Sequence, residues 1–150
     1  MPLHADLTGA DLHEPKGVAS ASANKVYVSN GSGSGTWSPL VYILNVRIAD
    51  ISIASTTYIT LPYAGNIVKI NSVIEGAITG SDEVVTAYNS SGSSMGTITI
   101  SAVGSAGGDV DTLSPSSNNS FSANTALRLT STGDSATAQA AVFTITVERT

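Results

Sequence analysis

From Val41 onward, apolar and polar side chains alternate with a period of two residues. This alternation is typical of β-strands that are packed on one face and wet on the other. In one such segment Val68, Ile70, Ile74 and Ile78 are predicted to share the buried face. The segments that show the pattern are 41–48, 57–61, 68–78, 83–88, 97–101, 127–129 and 143–148.

Gly, Asn, Asp, Ser and Pro cluster between these segments, which indicates short turns between successive strands. Only residues 135–141 have any helical character, and this stretch is short and contains Thr137. The pattern predicts an all-β fold, an antiparallel β-sandwich of about eight strands. Periodicity alone leaves a jelly roll and an immunoglobulin-like sandwich equally open.

Residues 1–40 have a different composition, rich in Ala, Ser, Gly and Asn. Their apolar residues are mostly isolated, residues 29–35 have the composition of a flexible linker, and only 26–28 resemble a short strand. Such a segment buries too little apolar surface to offset its own ordering entropy. We therefore expect an extended N-terminal arm with a Gly/Ser linker over 1–40 and a sandwich domain over 41–150.

Charged residues make up 11% of the chain, well below the roughly 25% typical of soluble domains. The formal net charge is −5, and Lys and Arg form no run. A nucleic acid or an anionic membrane would require a basic face, so neither is expected as a partner. The chain has no cysteine, which excludes disulfides and thiolate metal sites.

The first residues show no basic stretch followed by an apolar one, and no apolar run approaches the roughly 20 residues of a membrane span. The sequence therefore predicts synthesis in a cytoplasm, without a secretory signal or a transmembrane anchor.

Several residues near the N-terminus are metal ligands by type, namely His4, Asp6, Asp11, His13 and Glu14. A metal site needs ligands that converge from a rigid frame, with partners that orient them. The arm offers no such frame, so solvated or interface-paired polar residues are the favoured interpretation.

Two loops suggest a ligand only weakly. Gly31, Gly33 and Gly35 are followed by no helix, as a phosphate-binding loop would require, and the linker interpretation is favoured. Asp109 and Asp111 lack the further carboxylates of a calcium loop, so a turn capped by aspartates is favoured there. We expect neither a bound metal nor a cofactor.

Enzyme chemistry is not expected. Neither histidine lies in the predicted sandwich, so no Ser–His pair is expected within it. Asp82 and Glu83 are adjacent in sequence, so they are expected to point apart rather than to face each other across a cleft. Trp37 and Pro39, at the junction of arm and sandwich, are candidates for anchoring the arm onto the sandwich or onto a partner subunit, or for ordinary packing.

Two parts of the chain are similar to small structural proteins of tailed-bacteriophage virions. Residues 4–37, HADLTGADLHEPKGVASASANKVYVSNGSGSGTW, resemble a leader of such proteins. Residues 61–79, LPYAGNIVKINSVIEGAIT, together with 97–133 and 140–149, resemble their jelly-roll-like domain. The middle hairpin, residues 80–96, departs from that pattern, which puts lateral contacts there in doubt.

The resemblance implies a protein that decorates the capsid exterior or forms short head fibres, commonly as a homotrimer. Its final location is then the capsid surface of the virion. Its partners are the major capsid protein and further copies of itself. The arm is expected to grip the capsid, and trimerisation to multiply three weak attachments. The residues expected to contact the partner are Leu3, Leu7, Leu12, His13, Pro15, Val26, Tyr27, Val28 and Trp37.

The alternative is a tail-fibre or receptor-binding module that docks by the same arm. In that case the polar loops 89–94 and 114–119 are expected to form a tip that contacts a glycan on the host surface.

Overall fold

The computed structural model describes residues 20–32 and 34–150. The chain divides into two compact units, Met1–Leu40 and Val41–Thr150. In the first unit, strands β1 (Lys25–Ser29) and β2 (Gly35–Pro39) pair as an antiparallel hairpin. No α-helix occurs among the described residues; residues 136–140 are irregular, and Ala141 already belongs to the last strand.

The second unit, called here the sandwich, contains two antiparallel sheets. One sheet has the order β4-β10-β6-β7, and the other has the order β3-β11-β5-β8, with the short strand β9 also paired to β5. The strands are β3 Val41–Ile48, β4 Ser55–Leu61, β5 Gly65–Ile74, β6 Glu83–Tyr88, β7 Ser94–Ile100, β8 Val110–Leu113, β9 Ser120–Phe121, β10 Thr125–Ser131 and β11 Ala141–Arg149.

This arrangement confirms the predicted antiparallel β-sandwich. When the eight main strands of residues 41–150 are counted in chain order, the sheets read 1-8-3-6 and 2-7-4-5, which is the jelly-roll order. The predicted alternation describes the central strands well. In β11, for example, Phe143, Ile145 and Val147 are fully buried and alternate with half-buried Thr144 and Thr146.

Two predictions along β5 and β8 were wrong. A β-bulge opposite Thr146 and Val147 leaves Val68 out of register, so Ile67 takes the fully buried position that we had assigned to Val68. Asp111, predicted to lie in a turn, is instead in strand β8, opposite Ser72. Of the two aspartates, only Asp109 caps a turn, where its Oδ2 accepts a hydrogen bond of 2.7 Å from the Ala106 amide.

The loops of the sandwich lie at two opposite ends. At the end where Val41 begins, called the entry end, lie the connections 62–64, 89–93 and 114–124. At the other, called the far end, lie the connections 49–54, 75–82, 101–109 and 132–140. Both loops that we expected at a glycan-binding tip therefore lie at the entry end.

A buried carboxylate organises the far end. Glu83, fully buried at the start of β6, accepts backbone hydrogen bonds from the four successive residues 132–135, at 2.8–3.4 Å. The Thr132 hydroxyl adds a fifth bond, of 3.2 Å. Gly133 has a φ of +77°, and a Cβ there would lie 2.3 Å from the Ala54 amide nitrogen. Only glycine therefore fits the loop that wraps the carboxylate.

Half-buried apolar side chains lie along both open sides of the sandwich. Between β7 and β8, Leu113 lies over Gly96, where a Cβ would meet the Leu113 side chain at 2.7 Å. On the side of β3 and β4, the inward-facing Tyr42, Leu44, Val46 and Ile59 are only half-buried against the core. The sheet edges at β3 and β4 thus leave apolar surface partly uncovered.

Replacing Glu83 with glutamine should destabilise the sandwich. The glutamine side chain has only one acceptor oxygen, so some backbone amides of residues 132–135 lose a charged hydrogen-bond acceptor in a buried environment. Hydrogen bonds to charged groups contribute about 1.5–3 kcal/mol each, and we expect a loss of roughly 2–4 kcal/mol in the free energy of unfolding. Urea denaturation measures the change.

The matched control is Glu75→Gln, which removes an exposed partner of Arg47 and should leave the urea midpoint nearly unchanged. Equal destabilisation by the two substitutions would contradict the role that we assign to Glu83.

Candidate functional site

Most of the residues expected to grip a partner lie outside the described part of the chain. These are Leu3, Leu7, Leu12, His13 and Pro15, and the candidate metal ligands His4, Asp6, Asp11 and Glu14 lie there with them. The described part of the candidate site is the β1–β2 hairpin, which contains Val26, Tyr27, Val28 and Trp37.

The hairpin separates these four residues onto two faces. Tyr27 and Trp37 are cross-strand partners, and their rings meet edge to face with centroids 5.4 Å apart. Such a pair contributes about 0.5–1.5 kcal/mol beyond its buried area. Val26 and Val28 alternate with Tyr27 and are 41% and 49% exposed. The hairpin thus presents an aromatic pair on one face and two exposed valines on the other.

The side chains of Ser29 and, with two bonds, Asn30 accept hydrogen bonds from the backbone of this turn. Of the stretch 29–35, expected to be a flexible linker, Ser29 ends β1 and Gly35 begins β2. Asn30 Oδ1 accepts hydrogen bonds from the Ser32 and Ser34 amides, at 2.8 and 3.2 Å, and the Asn30 amide donates to the Ser34 carbonyl. Gly35 is also required, because a Cβ there would lie 2.3 Å from the Val28 carbonyl oxygen.

The loop 89–93 in the sandwich repeats this turn. Asn89 Oδ1 accepts from the Ser91 and Ser93 amides, at 3.1 and 2.9 Å, and the Asn89 amide donates to the Ser93 carbonyl. The Asn89 side-chain amide also donates to the carbonyl of Asn118, at 3.2 Å. The two loops predicted to contact a glycan are therefore braced against each other.

A pocket of about 350 Å³ lies beside this loop, on the outer face of the four-stranded sheet. Tyr58, Arg128 and Tyr88 form one cross-strand row there. The Arg128 guanidinium stacks over the Tyr88 ring, 4.0 Å from its centroid, and Tyr58 is 65% exposed. The pocket is lined by Tyr58, Asn89, Ser90, Gly92, Thr125, Ala126 and Arg128, and it contains no acidic residue.

A second arginine–tyrosine cluster lies at the entry end. The Arg149 guanidinium lies over the Tyr63 ring, 4.3 Å from its centroid, and the Tyr63 ring meets that of Tyr42 edge to face. The Tyr42 hydroxyl donates a hydrogen bond of 2.9 Å to the Tyr63 carbonyl. Burial raises the pKa of Tyr42 above its ordinary value, although the nearby positive charge of Arg149 partly opposes the shift.

Charge is distributed unevenly between the two ends of the sandwich. The cations Lys69, Arg128 and Arg149 lie in the half nearer the entry end, whereas Arg47 is paired with Glu75 towards the far end. Apart from Glu148, the acidic residues of 41–150 lie in or beside the far-end loops, namely Asp50, Glu75, Asp82, Glu83, Asp109, Asp111 and Asp134. The far end is therefore acidic.

Asp109 and Asp111 line a smaller far-end pocket of about 210 Å³. Burial and the nearby Asp109 charge raise the pKa of Asp111. Within residues 20–32 and 34–150, no three His, Asp or Glu side chains come together as a metal site would require. Asp82 and Glu83 diverge, because the Asp82 carboxylate accepts a hydrogen bond from Ala102 while Glu83 is turned inward.

Trp37, the one tryptophan of the chain, should report the integrity of the hairpin. In Tyr27→Ala the indole loses its edge-to-face neighbour and gains water, so we expect its fluorescence maximum to shift to longer wavelength. Val28→Ala removes a side chain from the opposite face and is the matched control. A red shift of the same size in both variants would contradict the pairing of Tyr27 with Trp37.

Comparison with protein-family models finds no match, and no curated protein matches the sequence. Among solved structures, the chain is similar to one described as "Cyanophage Pam1 capsid asymmetric unit", with 15% identity and a TM-score of 0.43. The similarity covers 89% of this chain and 99% of that one. The described residues include no helix long and apolar enough to span a bilayer.

Proposed function

We propose that this chain is a structural virion protein of a tailed bacteriophage that decorates or cements the capsid exterior through its N-terminal arm. In this role it acts by binding and needs neither catalysis nor a cofactor. The observation that carries the proposal is the division of the chain at Leu40 and Val41 into an arm unit and a sandwich. The leader-like sequence of residues 4–37 supplies the phage context.

The hydrophobic core of the sandwich is formed by residues of the sandwich itself, which suits a protein that is attached through a separate segment. Its largest buried side chains, among them Phe143, Leu127 and Ile70, come from both sheets of residues 41–150. A unit that buries its own apolar surface needs no partner to fold. Attachment can then be left to residues 1–40, including the exposed Val26 and Val28 of the hairpin.

The uneven charge gives the sandwich a preferred orientation in this role. The chain enters the sandwich at the end where Arg149 lies, and the acidic far end is opposite. We propose that the entry end faces the capsid and the far end faces solvent. A negatively charged outer surface keeps neighbouring particles apart by electrostatic repulsion.

Self-association is the second part of the proposal, with a homotrimer as the expected state. The uncovered β3 edge supports it, because Val41 and Ile43 are 45% and 59% exposed beside the half-buried Tyr42 and Leu44. Natural proteins cover long apolar edges, and closed homo-oligomers are a common way to do so. Three linked arms would also hold more firmly than one.

A tail-fibre or receptor-binding module is the second candidate function. The pocket at loop 89–93 favours it, since a surface pocket with an exposed tyrosine suits a small ligand. Labelling of virions separates the two candidates. Many copies over the head support decoration, and a few copies at the tail support adhesion.

The truncated protein lacking residues 2–40 should remain folded and soluble but lose binding to capsids of the encoding phage. Co-sedimentation with purified capsids measures binding, and circular dichroism checks the fold. The loss is expected to be complete, because the truncation removes every residue assigned to attachment while leaving the core intact.

The complementary variant fuses residues 1–40 to an unrelated soluble protein, which should then co-sediment with capsids. Decoration of capsids by the truncated sandwich alone would contradict attachment through the arm.

The substitution Ile43→Lys should weaken self-association by placing a charge on the uncovered edge. Light scattering coupled to size-exclusion chromatography should show a shift towards monomer, with the fold retained because Ile43 is already 59% exposed. Val103→Lys, at a far-end position that is 90% exposed, is the matched control and should not change the mass. A monomeric wild-type protein would refute this part of the proposal.

A further inference from the structure

We propose that the pocket beside Tyr58 and Arg128 binds an acidic saccharide, a sugar residue that carries a carboxylate. The inference concerns residues 41–150 alone and does not depend on capsid attachment, although it names a ligand class for the second candidate function. It follows from the charge, the aromatic surface and the rigidity of the pocket.

The charge of the pocket selects an anion. Arg128 supplies a positive charge, and no acidic residue lines the pocket to neutralise it. The Arg128 Nε is buried and has no hydrogen-bond partner within residues 20–32 and 34–150. This buried Nε is closed to a ligand, as is that of Arg149, so an acceptor in the cavity would bond to the terminal guanidinium nitrogens of Arg128. A carboxylate matches the planar donor arrangement of a guanidinium.

The exposed aromatic surface of the pocket favours a ligand that contains a sugar ring. Tyr58 is 65% exposed and lies next to Arg128 in the cross-strand row. One face of the Arg128 guanidinium is covered by the Tyr88 ring. An exposed tyrosine offers a flat apolar surface with a polar hydroxyl. The apolar C–H face of a sugar ring can lie against such a surface while its carboxylate reaches Arg128.

The walls of the pocket are small, polar and held in place. Gly92 and Ala126 leave room, and Ser90 and Thr125 bring hydroxyls suited to sugar hydroxyls. The Thr125 hydroxyl donates to the Ser122 carbonyl at 2.7 Å, so its oxygen can still accept from a ligand. The loop is fixed by Asn89, which reduces the entropy lost on binding. The volume of about 350 Å³ lies at the lower end of typical small-molecule sites.

The test is a titration of the full chain with a uronic-acid oligosaccharide and with its neutral counterpart of equal length, followed by saturation-transfer NMR or calorimetry. We expect the acidic sugar to bind roughly tenfold more tightly than the neutral one. Tyr58→Ala should weaken binding of both sugars, and Arg128→Gln should abolish the preference for the acidic one. Thr60→Ala, on the same sheet face but outside the pocket lining, should change neither.

Three results of the titration would overturn the inference, and a competition experiment could supply a fourth. They are no binding of the acidic sugar by the wild-type chain, equal binding of acidic and neutral sugars, and binding that Tyr58→Ala and Arg128→Gln leave unchanged. An acidic peptide or acetate that competes as well as the uronic-acid oligosaccharide would also refute it, because the pocket would then recognise only a carboxylate. Tyr58 is exposed, so its variant keeps the test valid even if Arg128→Gln impairs folding.

Discussion

The geometry of the far end depends on one buried charge. A carboxylate inside a protein is tolerated only when nearly all of its acceptor capacity is used, and Glu83 meets this condition through residues 132–135. Glu83 is the first residue of β6, and the loop 132–135 directly follows β10. This contact therefore fixes the far ends of two central strands of one sheet. The same loop leads into β11, so the carboxylate also sets where the chain crosses to the other sheet.

The sandwich could be predicted from the sequence because most of its strands alternate with a period of two. The errors arose where that period is broken or where a strand is too short to show it. The bulge at Val68 puts Ile67 in the buried position instead, and nothing in the local sequence predicts a bulge. Strand β8 contains Asp111, whose residue type suggests a turn, and tertiary pairing with β5 overrides that preference. The burial of Glu83 was also missed, since its partners lie about fifty positions later in the chain.

The candidate sites were predictable to different degrees. Val26–Val28 were recognised as a short strand, but the pairing of Tyr27 with Trp37 needed the turn between them. That turn shares the pattern Asn-x-Ser-Gly-Ser with residues 89–93, and in both places the asparagine side chain closes it. Gly and Ser are common in flexible linkers, so the composition predicted one. The conformation depends instead on the asparagine that precedes them, whose side chain closes the turn. The row Tyr58–Arg128–Tyr88 joins three distant strands and has no signature in the sequence.

The jelly-roll order has a consequence for anyone who wishes to display a foreign peptide on this protein. Strand β11 ends at Arg149, at the same end of the sandwich as Val41. A peptide fused behind Arg149 would therefore emerge beside the point where the chain enters the domain. The connection 101–109, with Val103 almost fully exposed, emerges at the opposite end and offers an insertion site away from that point. The strand order thus places Arg149 and the connection 101–109 at opposite ends of the sandwich.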